Sequence, residues 1–402
     1  MSERWPGGIV SATAPTVSTS AASGIWTMDQ ANYYIANNQW PFPTNPYLYG
    51  WGYNAIGALG LNNTTTYILS PTQVGSLTTW SLFDTAPTAA AQNTIAIKTD
   101  GTLWTWGNGA SGGLGLGNIT SYSSPKQVGV LTNWSKPTAG NKCAFAIKTD
   151  GTLWSWGKND TGQLGLGNTT YTSSPNQVGA LTTWLTVACG GNHVLATKTD
   201  GTLWVWGQGF YGELGLGASG AGSNKSSPTQ LGALTTWLNV ACGYTSSYAV
   251  KTDGTLWAWG RNNAGQLGLG NTTNYSSPKQ IGALTTWSNP SSGQAFAFVT
   301  QTNGTLWSWG GNSFGQLGLG NTTYYSSPKQ VGSLTTWSSV SCGAFSTAAL
   351  KTDGTLWAWG TGGTGALGLG NRTNYSSPKQ VGSLTSWLKI SARYSVFGIA
   401  RT

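Results

Sequence analysis

Charged residues make up only 7% of this 402-residue chain, and histidine occurs once. Acid–base and nucleophilic catalysis need paired carboxylates, or a base held beside a nucleophile and oriented by a third group. The repeated part of the chain has one histidine and few acids, most of them in Asp-Gly turns, so the chain reads as non-enzymatic. Asp160 and Glu213 stand in different repeats without partners. The same shortage leaves no cluster of ligands for a metal ion, and no cofactor is expected. The four cysteines show no CxxC spacing and are too few for a disulfide framework. Cys189, Cys242 and Cys342 each precede a TDG aspartate by eleven residues, while Cys143 falls four residues later in its own repeat. They read as buried free thiols, kept apart by the spacing of the repeats. No apolar run reaches the ~18 residues of a membrane-spanning helix, so membrane insertion is not expected. The segment Met1-Ser2-Glu3-Arg4-Trp5-Pro6 lacks the apolar core of a secretory signal. Without one, the Asn-Thr-Thr triplets at Asn168, Asn271 and Asn321 read as turn residues rather than glycosylation sites.

The net charge of +9 raises the question of nucleic acid. Most lysines occupy two repeated positions, KTDG (Lys98, Lys148, Lys198, Lys251, Lys351) and SPK (Lys126, Lys279, Lys329, Lys379). The first set has an aspartate two residues on, and the second is spread around the repeats. Nucleic-acid binders gather Lys and Arg into one stripe. No nucleic-acid partner is therefore expected.

Glycine and tryptophan are abundant instead, at 59 and 23 residues. LWxWG begins at Leu103, Leu153, Leu203, Leu256, Leu306 and Leu356, and Leu48-Tyr49-Gly50-Trp51-Gly52 is a degenerate first copy. Successive starts lie 55, 50, 50, 53, 50 and 50 residues apart. A period of this length marks a unit that cannot bury its apolar face alone and must stack on its neighbours.

Each unit reads as four strands. In the repeat beginning at Trp184, LTVACG, HVLATKT, LWVWG and SSPTQLG are successive strands, with Asp200-Gly201 turning the chain between the second and third. Asp-Gly between alternating apolar residues predicts a tight hairpin with positive φ at both turn residues. The turn recurs at Asp100, Asp150, Asp253 and Asp353, and as Asn303-Gly304. Alternation places both tryptophans of LWxWG on one strand face, against an adjacent sheet. LWxWG, the TTW position and Trp51 together account for every tryptophan except Trp5, Trp26 and Trp40, so the indoles read as core. The GQLGLGN segment that follows resembles a phosphate-cradling loop, but no helix comes after it, which favours tight turns with a leucine plug. Four-stranded units arranged radially give an all-β, seven-bladed β-propeller. The C-terminal WLKISARYSVFGIART supplies two strands and stops where TDG would come. The N-terminal NPYLYGWG supplies a third strand with none before it. Pairing of these terminal strands would close the ring, making residues 47–402 the propeller and 1–46 an arm.

The repeat TDGTLWxWGxNxxGQLGLG, followed by P, V and VxCG, resembles the regulator of chromosome condensation family over residues 47–402. The resemblance implies a ring whose members include a nucleotide exchange factor, a plant ultraviolet-B receptor and bacterial β-lactamase inhibitors. The receptor's GWRHT motif is absent, and no insertion matches the exchange factor's wedge. The family's GxxH histidine survives only as His193, the equivalent residues being Asn93, Cys143, Ser246, Phe296, Ser346 and Val396.

The arm reads RWPGGIVSATAPT, then ASGIWTMDQ and NNQWP. It resembles the N-terminal stretch of structural proteins of marine tailed phages, which implies attachment to other virion proteins, with Trp5, Trp26 and Trp40 as anchors. Strand alternation puts the loops after ACG and after WG on one face of the ring. That face varies between repeats, carrying Lys142, Lys158, His193, Phe210, Tyr211, Tyr244, Arg261, Phe314, Phe345, Arg393 and Tyr394. Aromatic and arginine residues dominate binding hot spots, and loops on a rigid scaffold carry function. The variable face is therefore the expected binding surface. Two functions follow: a virion component such as a tail fibre, adhesin or decoration protein that binds a host-surface molecule or protein, or a cytoplasmic bacterial adaptor or inhibitor gripping a protein. A homo-oligomer fits either.

Overall fold

Each repeat folds around the turn between its second and third strands, and that turn differs from the two-residue hairpin the sequence suggests. In the third repeat, His193–Lys198 pairs antiparallel with Leu203–Gly207. The Gly201 amide donates to the Lys198 carbonyl at 3.0 Å, and the Lys198 amide donates to the Thr202 carbonyl at 3.1 Å. This is a three-residue connection ending in a left-handed glycine. Gly201 has φ +77°, whereas Asp200 is not among the positive-φ residues. The aspartate does different work: its carboxylate accepts from the Thr202 amide at 2.9 Å and hydroxyl at 2.6 Å. That hydroxyl in turn accepts the Trp204 indole N–H at 2.9 Å. Asn303 makes the same two bonds to Thr305, which is why it substitutes for aspartate.

The computed structural model describes residues 17–18, 21–22, 46–77, 79–85 and 92–401. Blade 3 is a meander of Trp184–Cys189, His193–Lys198, Leu203–Gly207 and Lys225–Gln230 in spatial order. Blades 1, 2, 4, 5 and 6 repeat it from Trp80, Trp134, Trp237, Trp287 and Trp337. Blade 7 is composite, with strands Trp387–Ala392 and Ser395–Arg401 beside Pro46–Tyr53 and Tyr67–Gln73. The two ends of the chain thus share one sheet, and the propeller is closed as the sequence implied.

Closure is visible in the core. Among the described residues there are seven apolar clusters, each drawn from two adjacent blades, including one between blades 7 and 1 built on Leu48, Trp106 and Phe397. The first leucine of LGLG plugs each interface: Leu164, fully buried, packs with Trp184 and Trp206 of the next blade. The second tryptophan of LWxWG crosses the same boundary. Trp206 donates its indole N–H to the Gln163 carbonyl at 2.9 Å, and Trp51, Trp106, Trp259, Trp309 and Trp359 do likewise to the preceding blade. Gly165 leaves room for this contact, since a Cβ there would meet Trp206 Nε1 at 2.9 Å.

The two tryptophans of LWxWG are not equivalent. Trp206 is fully buried against blade 2, whereas Trp204 is half-exposed and stacked under Lys198. Both indoles pack against the cluster shared with the neighbouring blade, Trp206 within it and Trp204 at its margin. In blade 3 the TTW tryptophan, Trp184, packs T-shaped against both, at 6.1 Å from Trp204 and 5.9 Å from Trp206. The indole N–H at this position lacks a conventional acceptor in all seven blades.

The cysteines are free and buried, but not kept apart. Cys143 and Cys189 share one cluster. Cys189 also lies within electrostatic reach of Cys242, which holds the same repeat position in the next blade. Burial pushes the Cys143, Cys242 and Cys342 thiols up to about 12.

Two compact units are distinguished, Met1–Pro46 with Arg401–Thr402, and Tyr47–Ala400. Within the first, Val17–Ser18 pairs antiparallel with Ala21–Ala22. The anchors Trp5, Trp26 and Trp40 lie outside the described residues.

Candidate interaction face

The loops after strands one and three emerge together at one end of every blade. Their backbones are tied to each other: the Lys158, Gln208, Arg261 and Thr361 amides donate to the carbonyls of Lys142, Asn192, Thr245 and Phe345. The variable side chains therefore project from a fixed frame.

Three groups gather on this face. Between blades 3 and 4, Phe210 and Tyr211 meet edge-to-face at 5.0 Å, and the Arg261 guanidinium lies 4.7 Å from the Tyr211 ring. Tyr244 stands half-buried nearer the axis, its carbonyl accepting the Gly191 amide at 2.9 Å. Between blades 5 and 6, Phe314 and Phe345 meet at 5.3 Å. Between blades 6 and 7, Tyr394 packs T-shaped on Tyr53 at 5.6 Å, Tyr53 contacts Tyr67 at 5.7 Å, and Arg372 sits 4.3 Å from the Tyr67 ring. Burial, then the neighbouring Tyr53 and Tyr67, raise the Tyr394 hydroxyl's pKa. In blade 2, Lys158 and Asp160 form a 2.9 Å ion pair, so Asp160 is not without a partner. Lys142 holds the adjacent loop with φ +61°. Phe210 and Phe314 are the exposed members, at 48% and 39%.

Two expected surface residues point elsewhere. His193 is 2% exposed, with Nε2 3.0 Å from the Ser247 hydroxyl. Desolvation lowers its pKa to about 4, so it is a neutral core residue and is not presented to a partner. Arg393 turns along the inner rim to donate to the Ser292 carbonyl at 3.3 Å, two blades away. The alignment of blade 7 also shifts by one. Trp387 pairs with Ala400 where Trp337 pairs with Lys351, which makes Ser395, not Val396, the counterpart of Ser346. The inner loop of blade 7 is one residue shorter, and only the strand register reveals this.

Sequence reading missed Tyr53, Tyr67 and Arg372, and it left Glu213 without a partner, which the structure supplies. Glu213 holds the position of Gln163, Gln266 and Gln316, each of which accepts a loop amide two residues back. The Glu213 carboxylate accepts the Tyr211 amide at 2.7 Å and is 1% exposed. Burial raises its pKa to about 7, with hydrogen bonds and Arg261 opposing. The GELGLG spelling among GQLGLG copies was the available signal. Among the described residues, no three of His, Cys, Asp or Glu stand together as metal ligands.

A closed ring of seven four-stranded blades with a rigid, aromatic-studded loop face is the architecture of a binding propeller. The chain belongs to the family of RCC1-like domains, whose profile matches residues 48–397. Among solved structures, Prp20p from Saccharomyces cerevisiae is similar at TM-score 0.78 and 18% identity, covering 89% of this chain and 92% of that one. Human WBSCR16 is similar at TM-score 0.79 and 21% identity, covering 89% and 99%. At these identities the likeness shows the fold.

Proposed function

We propose that this protein is a non-enzymatic virion component, a tail fibre, adhesin or decoration protein, that displays its propeller to bind a protein or host-surface molecule. The observation that carries the binding half of this reading is the Phe210–Tyr211–Arg261 group. Two aromatic rings and a guanidinium are packed together, partly exposed, on loops locked by backbone hydrogen bonds. Such residues bind at low entropic cost because they are already ordered. The virion half rests on the resemblance of residues 1–46 to phage structural proteins, which makes the arm the attachment to other virion proteins. In the second reading, the propeller is a cytoplasmic adaptor or inhibitor that grips a protein through the same face. The described binding of Prp20p to Gsp1p and histones favours protein as the ligand class.

Deleting residues 1–46 separates the two readings. As a virion component the shortened chain is lost from purified particles, as read by mass spectrometry; normal incorporation overturns the virion reading. Combined Phe210→Ala, Tyr211→Ala and Phe314→Ala substitutions weaken partner or host binding, and unchanged binding overturns the face assignment.

A further inference from the structure

The opposite end of the blades carries a second feature, one that recurs with the repeat. Between blades 1 and 2 lies a groove of about 420 Å³. One wall is Trp134, Lys148, Trp154 and Pro175 of blade 2, and the other includes Gln127 and Leu131 of blade 1. An equal groove of about 420 Å³ lies between blades 5 and 6, built from Trp337, Lys351, Trp357, Pro378, Gln330 and Leu334. A third, of about 470 Å³, lies between blades 7 and 1, lined by Trp80, Trp104, Gln73 and Leu77. Volumes of this size are those of ligand pockets.

The lysine is the unusual element. Lys148 is 7% exposed, and its Nζ sits 3.9 Å from the Trp154 ring centre and 4.8 Å from that of Trp134. Lys98, Lys198, Lys251 and Lys351 repeat this bracket, at 3.6, 3.5, 4.0 and 3.7 Å from the half-buried indole. None of these ammonium groups has a hydrogen-bond acceptor or ion pair among the described residues, where the one ion pair is Lys158–Asp160. The aspartate two residues on is turned to its own threonine, as Asp150 is to Thr152. Indole faces stabilise the charge but accept none of the three N–H donors directionally. No carboxylate lines any of the three grooves. The Nζ atoms are open to solvent, so an occupant that displaces water from them must bring oxygen acceptors of its own.

Other walls narrow the class. Leucines at the rim (Leu77, Leu131, Leu181, Leu234, Leu284, Leu334, Leu384) are 37–50% exposed. They suit a ligand with C–H faces as well as oxygens. Every outermost strand carries a proline in its length, from Pro71 in Tyr67–Gln73 to Pro378 in Tyr375–Gln380. Proline removes an edge N–H and blocks addition of a peptide strand. Exposed Lys126, Lys279, Lys329 and Lys379 on those strands add positive charge outside the grooves. Three such grooves, two of them lined by the lysine, and a lysine bracket that recurs in five blades match a ligand that is itself a repeating polymer, where linked weak sites give avidity.

We propose that the inter-blade grooves bind an acidic polysaccharide, its sugar oxygens accepting from the indole-bracketed lysine and its C–H faces resting on tryptophan, leucine and proline. Five blades carry the bracketed lysine, and it lines the grooves seen between blades 1 and 2 and between blades 5 and 6; Gln301 and Ala400 replace it in blades 5 and 7. This site is separate from the variable face and does not depend on the virion reading.

The test titrates the full chain with a mannuronate hexamer and with neutral mannohexaose, by calorimetry and tryptophan fluorescence. Saturable binding of the acidic hexamer is expected, near five sites per chain and weakening with salt. The Lys148→Met, Lys351→Met double variant should bind about three-fifths as many hexamers, while Phe210→Ala with Phe314→Ala leaves the count unchanged. A readout that needs no variant is acylation mapped by mass spectrometry: bound hexamer protects Lys148 and Lys351 in the native chain. Absence of saturable binding up to about 1 mM, equal binding of the neutral hexamer, or an undiminished count in the double lysine variant would each overturn the proposal. So would acylation of Lys148 and Lys351 unaffected by the hexamer.

Discussion

The Trp206 indole donates to the Gln163 carbonyl across the boundary between blades 2 and 3, at 2.9 Å. The equivalent Trp156 has no acceptor, and the preceding loop there holds a short 3₁₀ turn, Ala110–Gly112. Both indoles are fully buried. Trp206→Phe removes a donor and orphans a buried carbonyl, whereas Trp156→Phe only shrinks the ring. Trp206→Phe should cost about 1–2 kcal/mol more than Trp156→Phe, measured by chemical denaturation of each variant.

Glu213 makes stability depend on pH in a specific direction. Its folded pKa, about 7 against the ordinary 4.5, means the folded state holds the proton over a range in which the unfolded state releases it. Its contribution therefore falls as pH rises from about 4.5 to 7. Glu213→Gln restores the residue of the other copies and keeps the bond to the Tyr211 amide. The variant should gain on the order of 2 kcal/mol at pH 7.5 and almost nothing at pH 4. Equal gains at both values would refute the assignment.

His193 acts with the opposite sign in an overlapping window. Its folded pKa, lowered from 6.5 to about 4, means that the unfolded chain takes up a proton first as pH falls. Stability is complete above 6.5 and declines toward pH 4. His193→Asn, the residue type at position 93, should flatten that decline, and combining it with Glu213→Gln should leave a nearly level profile between pH 4 and 7. Thermal melts across this range read both.

The hairpin turn distinguishes glycine from aspartate. A Cβ on Gly201 would meet the Thr235 carbonyl at 2.0 Å, and the residue's φ of +77° is itself unfavourable for other side chains. Gly201→Ala should cost well over 1 kcal/mol, whereas Asp200→Asn, which reproduces Asn303, should stay within about 0.5 kcal/mol. Melting temperatures of the two variants decide this.

The four buried thiols give a closing test of the ring. With pKa values raised by burial, none should react with a thiol reagent at pH 8 in the native protein, and all four should react on unfolding. Rapid labelling of any of them in the native state would mean an opening toward the axis.

Much of this was legible in the chain. Spacing of LWxWG gave the blade count, and alternation gave the strand order. The complementary ends pointed to closure, since a repeat cut between its second and third strands leaves two halves that fit one sheet, as they do here. What escaped had a common cause. Asp200 looked like a left-handed turn residue because Asp-Gly permits it, and the hydrogen bond to Thr202 that settles otherwise is a side-chain choice. His193 looked like a surface residue because its neighbours in other blades vary; burial against Ser247 of the next blade is invisible in one repeat. The groove lysines looked like half of a Lys-Asp pair, until the aspartate proved to be turned toward threonine.

Local order and periodicity were therefore fixed by sequence alone, because strand alternation, turn chemistry and repeat length act over a few residues or at a constant interval. Which side of an indole meets a neighbouring blade, which polar groups are left without partners, and which loop residues stay in solvent were decided only by tertiary structure. Those outcomes depend on contacts between residues about fifty positions apart, across interfaces that exist only once neighbouring blades have packed together.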